Sequence, residues 1–339
     1  MLVLAIESSC DETAAAIVRD GREVLSSVVA SQADTHAIYG GVVPEIASRM
    51  HIESIFSVVD SCVKQASLHT SDIDAVAVTA APGLIGALLT GLSFAKAAAL
   101  ALDKPVVPVH HIKGHVAANY IAFPELEPPF FALVISGGHT LFADVRDYDE
   151  MEILGSSRDD AAGEAFDKVA RVLGLPYPGG KAMDELRALA DPKAESYRLP
   201  RPEFPDAPLD CSFSGLKTAV INLYHNALQK GVELDRALLS RSFHEAVADV
   251  LVPRAINGAR ACGRNILAVA GGVAANSYIR QRLTQAAEKE GIKLYIPPLS
   301  LCGDNAAMIG SAGYYAYLAH GGAEFDLNAY ATMSPSETF

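Results

Sequence analysis

Apolar and polar positions alternate along this chain in blocks that read as strands, turns and helices. An apolar run at Leu2–Ile6 meets a turn rich in Ser, Asp and Glu, and a second apolar run ends near Arg19. β-Forming residues on both sides of a short polar turn predict a strand hairpin. Residues 129–147, PFFALVISGGHTLFADVRD, repeat that plan as an internal echo. Further buried strands are expected at residues 74–83, 105–111, 264–270 and 292–298. Helices are expected at about 84–102, 159–173, 241–263 and 304–321, with another after the glycine turn at 271–272. In the second of these, Ala165, Phe166, Val169, Ala170 and Leu173 fall on one stripe at helical spacing. The third reads as amphipathic. Pro192–Pro208 carries five prolines and reads as irregular surface chain, a lid or a crossing loop. Alternating strands and helices argue an α/β class, and the hairpins add antiparallel strands, so the sheets are mixed.

Composition narrows the class. With 339 residues, half of them hydrophobic, the chain fills more than one core, and two domains of similar size are expected. Lys and Arg number 27 against 40 Asp and Glu, a net charge of −13. That balance excludes a surface that is basic throughout, so any nucleic-acid contact needs a local patch or a partner's surface. Five scattered cysteines without a CxxC argue a reduced, cytoplasmic protein. The opening MLVLAI lacks a basic flank and is too short for a leader or a span. The apolar run 80–101 is broken by Gly83, Gly86, Gly91 and Lys96, which argues a buried helix.

Three polar turns sit at strand ends: ESSCDET, SGGHT and AGGVAAN. Small residues there let backbone N–H groups approach a phosphate, and a helix starting at the turn adds its positive end. Three such turns, two in echoing hairpins, suggest a nucleotide held between related domains. In VVPVHHIKGHVAANY, His111 and His115 are four residues apart. On a helix both imidazoles point to one side, which suits two metal ligands and equally suits a pair of histidines at a helix start. The stretch is not HExxH, so no glutamate is supplied as a protease base. Asp304, in a turn before the last helix, is the candidate third ligand. Two histidines and one carboxylate with open positions suit Fe(II), Mn(II) or Zn(II).

The set IESSCDET, GGVVPEIASRMH, VHHIKGH, LVISGGHT, DDAAGEAFDKVARVLGLPYPGG, FSGLKTA, AGGVAANSYIR and CGDNAAMI resembles the TsaD family, the bacterial tRNA threonylcarbamoyl-adenosine transferases. The resemblance spans nearly the whole chain. It implies the fold of actin, sugar kinases and Hsp70 ATPase domains: duplicated mixed sheets and a central cleft. The expected subdomains are residues 1–110 and 111–320, with a tail at 321–339. It implies iron, one Fe(2+) per chain with Zn(2+) able to substitute in vitro, on His111, His115 and Asp304. It implies substrate contacts from Val134, Ile135, Ser136, Gly137, Gly138, Asp167, Gly180, Asp184 and Asn276. Ser8 stands where some relatives have Thr and keeps the hydroxyl.

The implied reaction moves a threonylcarbamoyl group from threonylcarbamoyl-AMP to N6 of the adenosine 3′ to the anticodon, in tRNAs reading codons that start with A. A mixed anhydride is already activated, so positioning and charge stabilisation suffice. His139 reads as an acid/base candidate or as a turn histidine. Asp11 and Glu12 are candidates for water-mediated binding or proton acceptance. Candidate tRNA-facing cations are Arg158, Lys168, Arg171, Arg198, Arg201, Lys217, Arg241 and Arg254. The implied partners are TsaB-like and TsaE-like proteins, and no membrane. The alternatives are a small-molecule kinase of the same fold, a metallopeptidase, and a non-catalytic scaffold.

Overall fold

The structure is a computed structural model describing residues 1–339. Two five-stranded sheets organise it. The first contains β1 (Leu2–Glu7), β2 (Glu12–Arg19), β3 (Glu23–Ser31), β4 (Ala75–Ala81) and β5 (Val106–His110), in the order β3-β2-β1-β4-β5. The β1–β2 hairpin is antiparallel, pairing Leu2 with Arg19 through to Glu7 with Ala14. β4 and β5 add in parallel. The short helix α1 (Ala33–Ala37) and the long α2 (Pro44–Gln65) follow β3, and α3 (Ile85–Leu102) connects β4 to β5. α4 (His111–Ala122) follows β5 without a break.

The second sheet contains β6 (Phe130–Ile135), β7 (Thr140–Val145), β8 (Met151–Ser156), β9 (Ile266–Ala270) and β10 (Lys293–Tyr295). Its order, read from the β8 edge, is β8-β7-β6-β9-β10, the order of the first sheet strand for strand. The echo between the two hairpins is therefore a duplication. Helices α5 (Ala162–Val172), α6 (Gly179–Arg187), α7 (Ser214–Gln229) and α8 (Arg236–Ala261) lie between β8 and β9. α9 (Ser277–Glu290) connects β9 to β10, and α10 (Ala306–His320) closes the series.

Contacts divide the chain into unit one (residues 1–128, 145–152 and 297–339) and unit two (129–144 and 153–296). The break expected after residue 110 thus falls at the β5–α4 junction, inside unit one. α4 stays with β5 because it packs chiefly on α10, which itself lies on the first sheet. Residues 297–339 return because α10 packs on α4 and on β1, β2 and β5. The approach is close: a Cβ on Gly313 would lie 2.5 Å from Ala77 Cβ, and one on Gly310 2.5 Å from Val18 Cγ2. The segment 145–152 is held to unit one by Lys113 and His320, whose side-chain nitrogens meet the Asp149 carboxylate at 3.0 and 2.7 Å. The tail 321–339 belongs to unit one as well, beginning with a bridge between Ala323 and Val106.

α3 is long and apolar enough to cross a membrane by length and composition. In the fold its Leu88, Leu92, Ala95 and Ala99 are buried with Ile6, Val76 and Val78 in the core of unit one. Each such fully buried Leu or Ile contributes about 1.5–3 kcal/mol. α8 is amphipathic as expected, but its polar stripe is narrow: Arg241, Glu245, Asp249, Pro253 and Asn257 stay outside at helical spacing. Most other positions from Leu238 to Ala259 are buried, because the helix packs on β6, α6 and α9 at the centre of unit two. The proline-rich chain between α6 and α7 forms no regular element. It is a crossing loop tied to α8: Arg254 donates to the carbonyls of Pro202 and Asp210, and Ser242 Oγ accepts from Tyr197 N.

Candidate metal centre and glycine cradle

The His111–His115 pair lies on the first turns of α4, whose start is fixed by His110. The His110 ring accepts from the Ile112 amide at 3.2 Å, capping a helix end that otherwise leaves its N–H groups unpaired. Four-residue spacing puts both imidazoles on one face, with ring centroids 4.6 Å apart. Gly114 faces α10: a Cβ there would come within 2.7 Å of Ile309 Cδ1. The close α4–α10 packing brings Asp304, next to the Asn305 cap of α10, to the histidines. Asp304 Oδ1 is 3.5 Å from His111 Nε2 and 3.2 Å from His115 Nε2. One ligand atom from each of His111, His115 and Asp304 lies within 4.8 Å of the others. Metal–ligand bonds of about 2.1 Å put neighbouring ligand atoms about 3.0–3.5 Å apart, so the spacing fits a bound transition metal.

Two further observations fit a cation. Both ring nitrogens of His115 are buried without a hydrogen-bond partner, Nε2 approaching Asp304 without hydrogen-bond geometry. An unsatisfied buried polar group costs about 1–3 kcal/mol, and a cation accepting the Nε2 lone pair removes part of that. On the other side of the site, His111 Nδ1 lies 3.1 Å from Glu7 Oε2 and 3.2 Å from Ser9 Oγ. Glu7 also accepts from Thr79 Oγ1 at 2.6 Å and from the Ser9 amide. A carboxylate on Nδ1 fixes the tautomer that turns Nε2 outward, as in metal-binding histidines generally. Burial opposes charge on His111, yet Asp304 and Glu7 outweigh it and hold its pKa well above the usual imidazole value. Burial likewise opposes ionisation of Asp304, and His111 and His115 override it, leaving its pKa well below the ordinary value. The Glu7 and Asp304 carboxylates favour positive charge between them.

The nine residues expected at the substrate all lie in unit two. Val134 and Ile135 end β6 and are fully buried. The turn Ser136–His139 is closed by Ser136 N donating to His139 O and His139 N donating to Ser136 Oγ. The first turn of α5 grips its other side: Gly163 N and Glu164 N donate to the carbonyls of Ser136 and Gly137, and Ala162 N to Thr140 Oγ1. Gly137 and Gly138 stand clear, with nothing within 4 Å of a Cβ built on either. Gly271, with φ +91°, brings the β9 turn against Ile135, where any Cβ would lie 2.5 Å from the Ile135 carbonyl oxygen. Asp167 Oδ1 accepts from Gly179 N at 2.8 Å, which seats the start of α6 and presents Gly180 to open space. Asn276 caps α9 through Ile279 N. Asp184 accepts from Ser277 N and Oγ at 2.8 and 2.9 Å and from Arg187 Nε at 3.1 Å.

Sequence reasoning missed Glu7, Ser9, Gly163, Gly179, Gly271 and Ser277. Glu7 carried a signal, an acidic residue closing an apolar strand. Ser9 and Gly271 lie in two of the polar turns singled out in the sequence, and Gly163, Gly179 and Ser277 are recognisable only from what they touch. Most of the candidate tRNA-facing cations have partners in the chain. Arg158 meets Asp210, Lys168 meets Asp160 and Glu164, Lys217 meets Asp160, and Arg201 meets Asp249. Arg241 and Arg254 hold backbone carbonyls of the crossing loop. His139 ties its turn through its backbone, and Asp11 is buried beside the β1–β2 turn.

A family model described as TsaD, tRNA N6-adenosine threonylcarbamoyltransferase, matches residues 23–311. A tRNA N6-adenosine threonylcarbamoyltransferase of Clostridium botulinum strain 657 is 51% identical over 335 residues, covering 99% of this chain and 98% of that protein. One from Clostridium perfringens strain ATCC 13124 is 51% identical over 336 residues with the same coverage. Among solved structures, HypF of T. kodakarensis matches 94% of this chain and 48% of its own, with a TM-score of 0.62 and 14% identity. Component A of the Acidaminococcus fermentans (R)-2-hydroxyglutaryl-CoA dehydratase matches 94% and 98%, with a TM-score of 0.56 and 16% identity. These structures share the fold of actin, sugar kinases and Hsp70 ATPase domains.

Proposed function

The chain belongs to the TsaD family of tRNA N6-adenosine threonylcarbamoyltransferases, and from that premise we propose how its two sites divide the reaction. The enzyme modifies tRNA adenosine at N6. In our reading the donor is threonylcarbamoyl-AMP, and the acceptor is the adenosine 3′ to the anticodon in tRNAs reading codons that start with A. The N6 lone pair attacks the carbonyl carbon of the anhydride, the carbonyl–oxygen bond to AMP breaks, and N6 loses a proton. No protein nucleophile is needed, because AMP is already a good leaving group.

His111, His115 and Asp304 hold the metal, with Fe(2+), one per chain, as the resident ion. The observation that carries this is the convergence of three ligand atoms around a histidine whose nitrogens are otherwise unpaired. When bound, the ion supplies Lewis-acid stabilisation of negative charge on oxygen. Glu7 keeps the Nδ1 proton of His111 in place and the ring aligned. The amides of Gly137 and Gly138 make no hydrogen bond within the protein, and the space where their side chains would stand is open, which supports a role as phosphate donors. Val134, Ile135 and Ser136 shape that turn, and Asp167, Gly180, Asp184 and Asn276 line the adenosine end.

The partners are tRNA, a TsaB-like protein and a TsaE-like protein, in the cytoplasm. The exposed Ile52 and Phe56 on α2 and Leu89 on α3 support a helix-packing contact with the TsaB-like partner. The test is transfer of labelled threonylcarbamate to tRNA from purified components, beside metal analysis of the enzyme. Wild type should carry about one transition metal per chain by the three-ligand logic. His111→Ala with His115→Ala should lose both metal and transfer. Full metal content in the double variant would refute the site.

A further inference from the structure

The motif HHIKGH has three histidines, and only two face the metal centre. His110 is buried at 2% exposure, and both of its ring nitrogens are engaged. Nδ1 accepts from the Ile112 amide at 3.2 Å, so Nε2 carries the proton and donates it to the Met333 carbonyl at 3.1 Å. One ring therefore bridges the start of α4 and the C-terminal tail. A second path leaves the tail two residues earlier. The Ala331 carbonyl accepts from Gly83 N at 3.2 Å, and the neighbouring Leu84 N donates to Ser9 O at 2.8 Å. Ser9 Oγ lies 3.2 Å from His111 Nδ1. Gly83 sits so tightly on Ser9 that a Cβ there would lie 2.6 Å from the Ser9 carbonyl oxygen. Tyr330 N, donating to Ala80 O at 2.9 Å, anchors the start of this segment at the end of β4.

We propose that residues 330–333 form a strap that positions His111 from two sides, with His110 as its positioning residue. The inference rests on the metal reading above. On one side the strap holds His110, which caps the helix turn carrying His111. On the other it holds the Gly83–Leu84 turn, which fixes the serine beside His111 Nδ1. The strap acts through main-chain carbonyls, which every residue type supplies. That accounts for a tail sequence, AYATMSPSETF, with no side-chain motif of its own.

The test uses metal-free full-length protein titrated with Co2+ and followed by its visible absorption. Two variants separate the parts. His110→Asn keeps an acceptor suited to the helix cap but is too short to reach Met333. A chain ending after residue 329 keeps His110 and loses both strap carbonyls. Each should bind Co2+ about tenfold or more weakly, as removal of groups that orient metal ligands does, with altered ligand-field bands. Their combination should weaken binding by less than the product of the two, because they break one tether. Wild-type affinity and spectrum in both variants would overturn the proposal, even with a lowered melting temperature, since that pattern describes a strap that only stabilises the fold. Hydrogen exchange of the metal-free proteins supplies an independent readout: peptides covering 106–116 should exchange faster in His110→Asn than in wild type. If wild type takes up no Co2+, the metal reading fails and exchange alone decides the strap. If the shortened chain does not fold, His110→Asn decides.

Discussion

At the scale of single residues, the glycine cradle and the buried histidine of unit two give the sharpest expectations. Gly137 has ordinary backbone angles and empty space where a side chain would go. Gly137→Val should therefore fold normally while its methyls stand where a phosphate would approach the amides. Binding of an ATP analogue, followed by calorimetry, should weaken more than about tenfold, or 1.4 kcal/mol. Unchanged affinity would remove the phosphate from this turn. His244 tests the acid limb of stability. Burial pushes its pKa down to about 4, against the Ser240 carbonyl and the Asp184 carboxylate, which favour the charged ring. An unfolded histidine titrates near 6.5, so the unfolded chain binds the proton first as pH falls. The contribution of a neutral, buried His244 is complete above about pH 6.5 and is lost as pH drops through about 4, a change of up to about 3 kcal/mol. Urea midpoints measured from pH 7 to pH 4.5 should fall less steeply in His244→Gln than in wild type. Parallel curves would mean that His244 titrates normally in the fold.

At the scale of elements, α10 is the part on which the candidate metal centre depends most. It lies directly on the first sheet through Gly310 and Gly313 and on α4 opposite Gly114. Its N-terminus, capped by Asn305, carries Asp304 into the site. Ala77 Cβ belongs to a buried strand and cannot swing aside, so Gly313→Val must lift the helix. Overpacking of this kind costs about 1–3 kcal/mol. Equilibrium unfolding should register that loss, and metal affinity should fall with it although residue 313 is no ligand. A stable variant with full affinity would show that α10 tolerates displacement. The crossing loop makes the complementary point. It is irregular as its prolines require, and the arginines of α8 hold it in place.

At the scale of the whole molecule, charge decides how tRNA is met. The chain carries −13, and the cations that stood out in the sequence are mostly spent on its own acids and carbonyls. Few phosphates can be neutralised, so the isolated chain should bind tRNA weakly and with a shallow salt dependence. Adding the proposed partner proteins should raise affinity and steepen the slope of log K against log salt. Filter binding between about 50 and 200 mM salt reads both quantities. Tight binding by the isolated chain, indifferent to salt, would contradict this electrostatic account.

The sequence by itself determined what depends on near neighbours. Apolar runs on both sides of a short polar turn marked the paired hairpins, helical spacing put His111 and His115 on one face, and small residues between strands marked the SGG turn. The tertiary structure alone decided what depends on approach between distant segments. Glu7 reaches His111 from the first strand, Asp304 arrives on the last helix, and two carbonyls of an unremarkable tail converge behind them. The domain division belongs to the same class, since residues 297–339 return to the unit in which the chain began. Local pattern records which face of an element is apolar. It does not record which other apolar face will cover it, and that choice brings His111, His115 and Asp304 together.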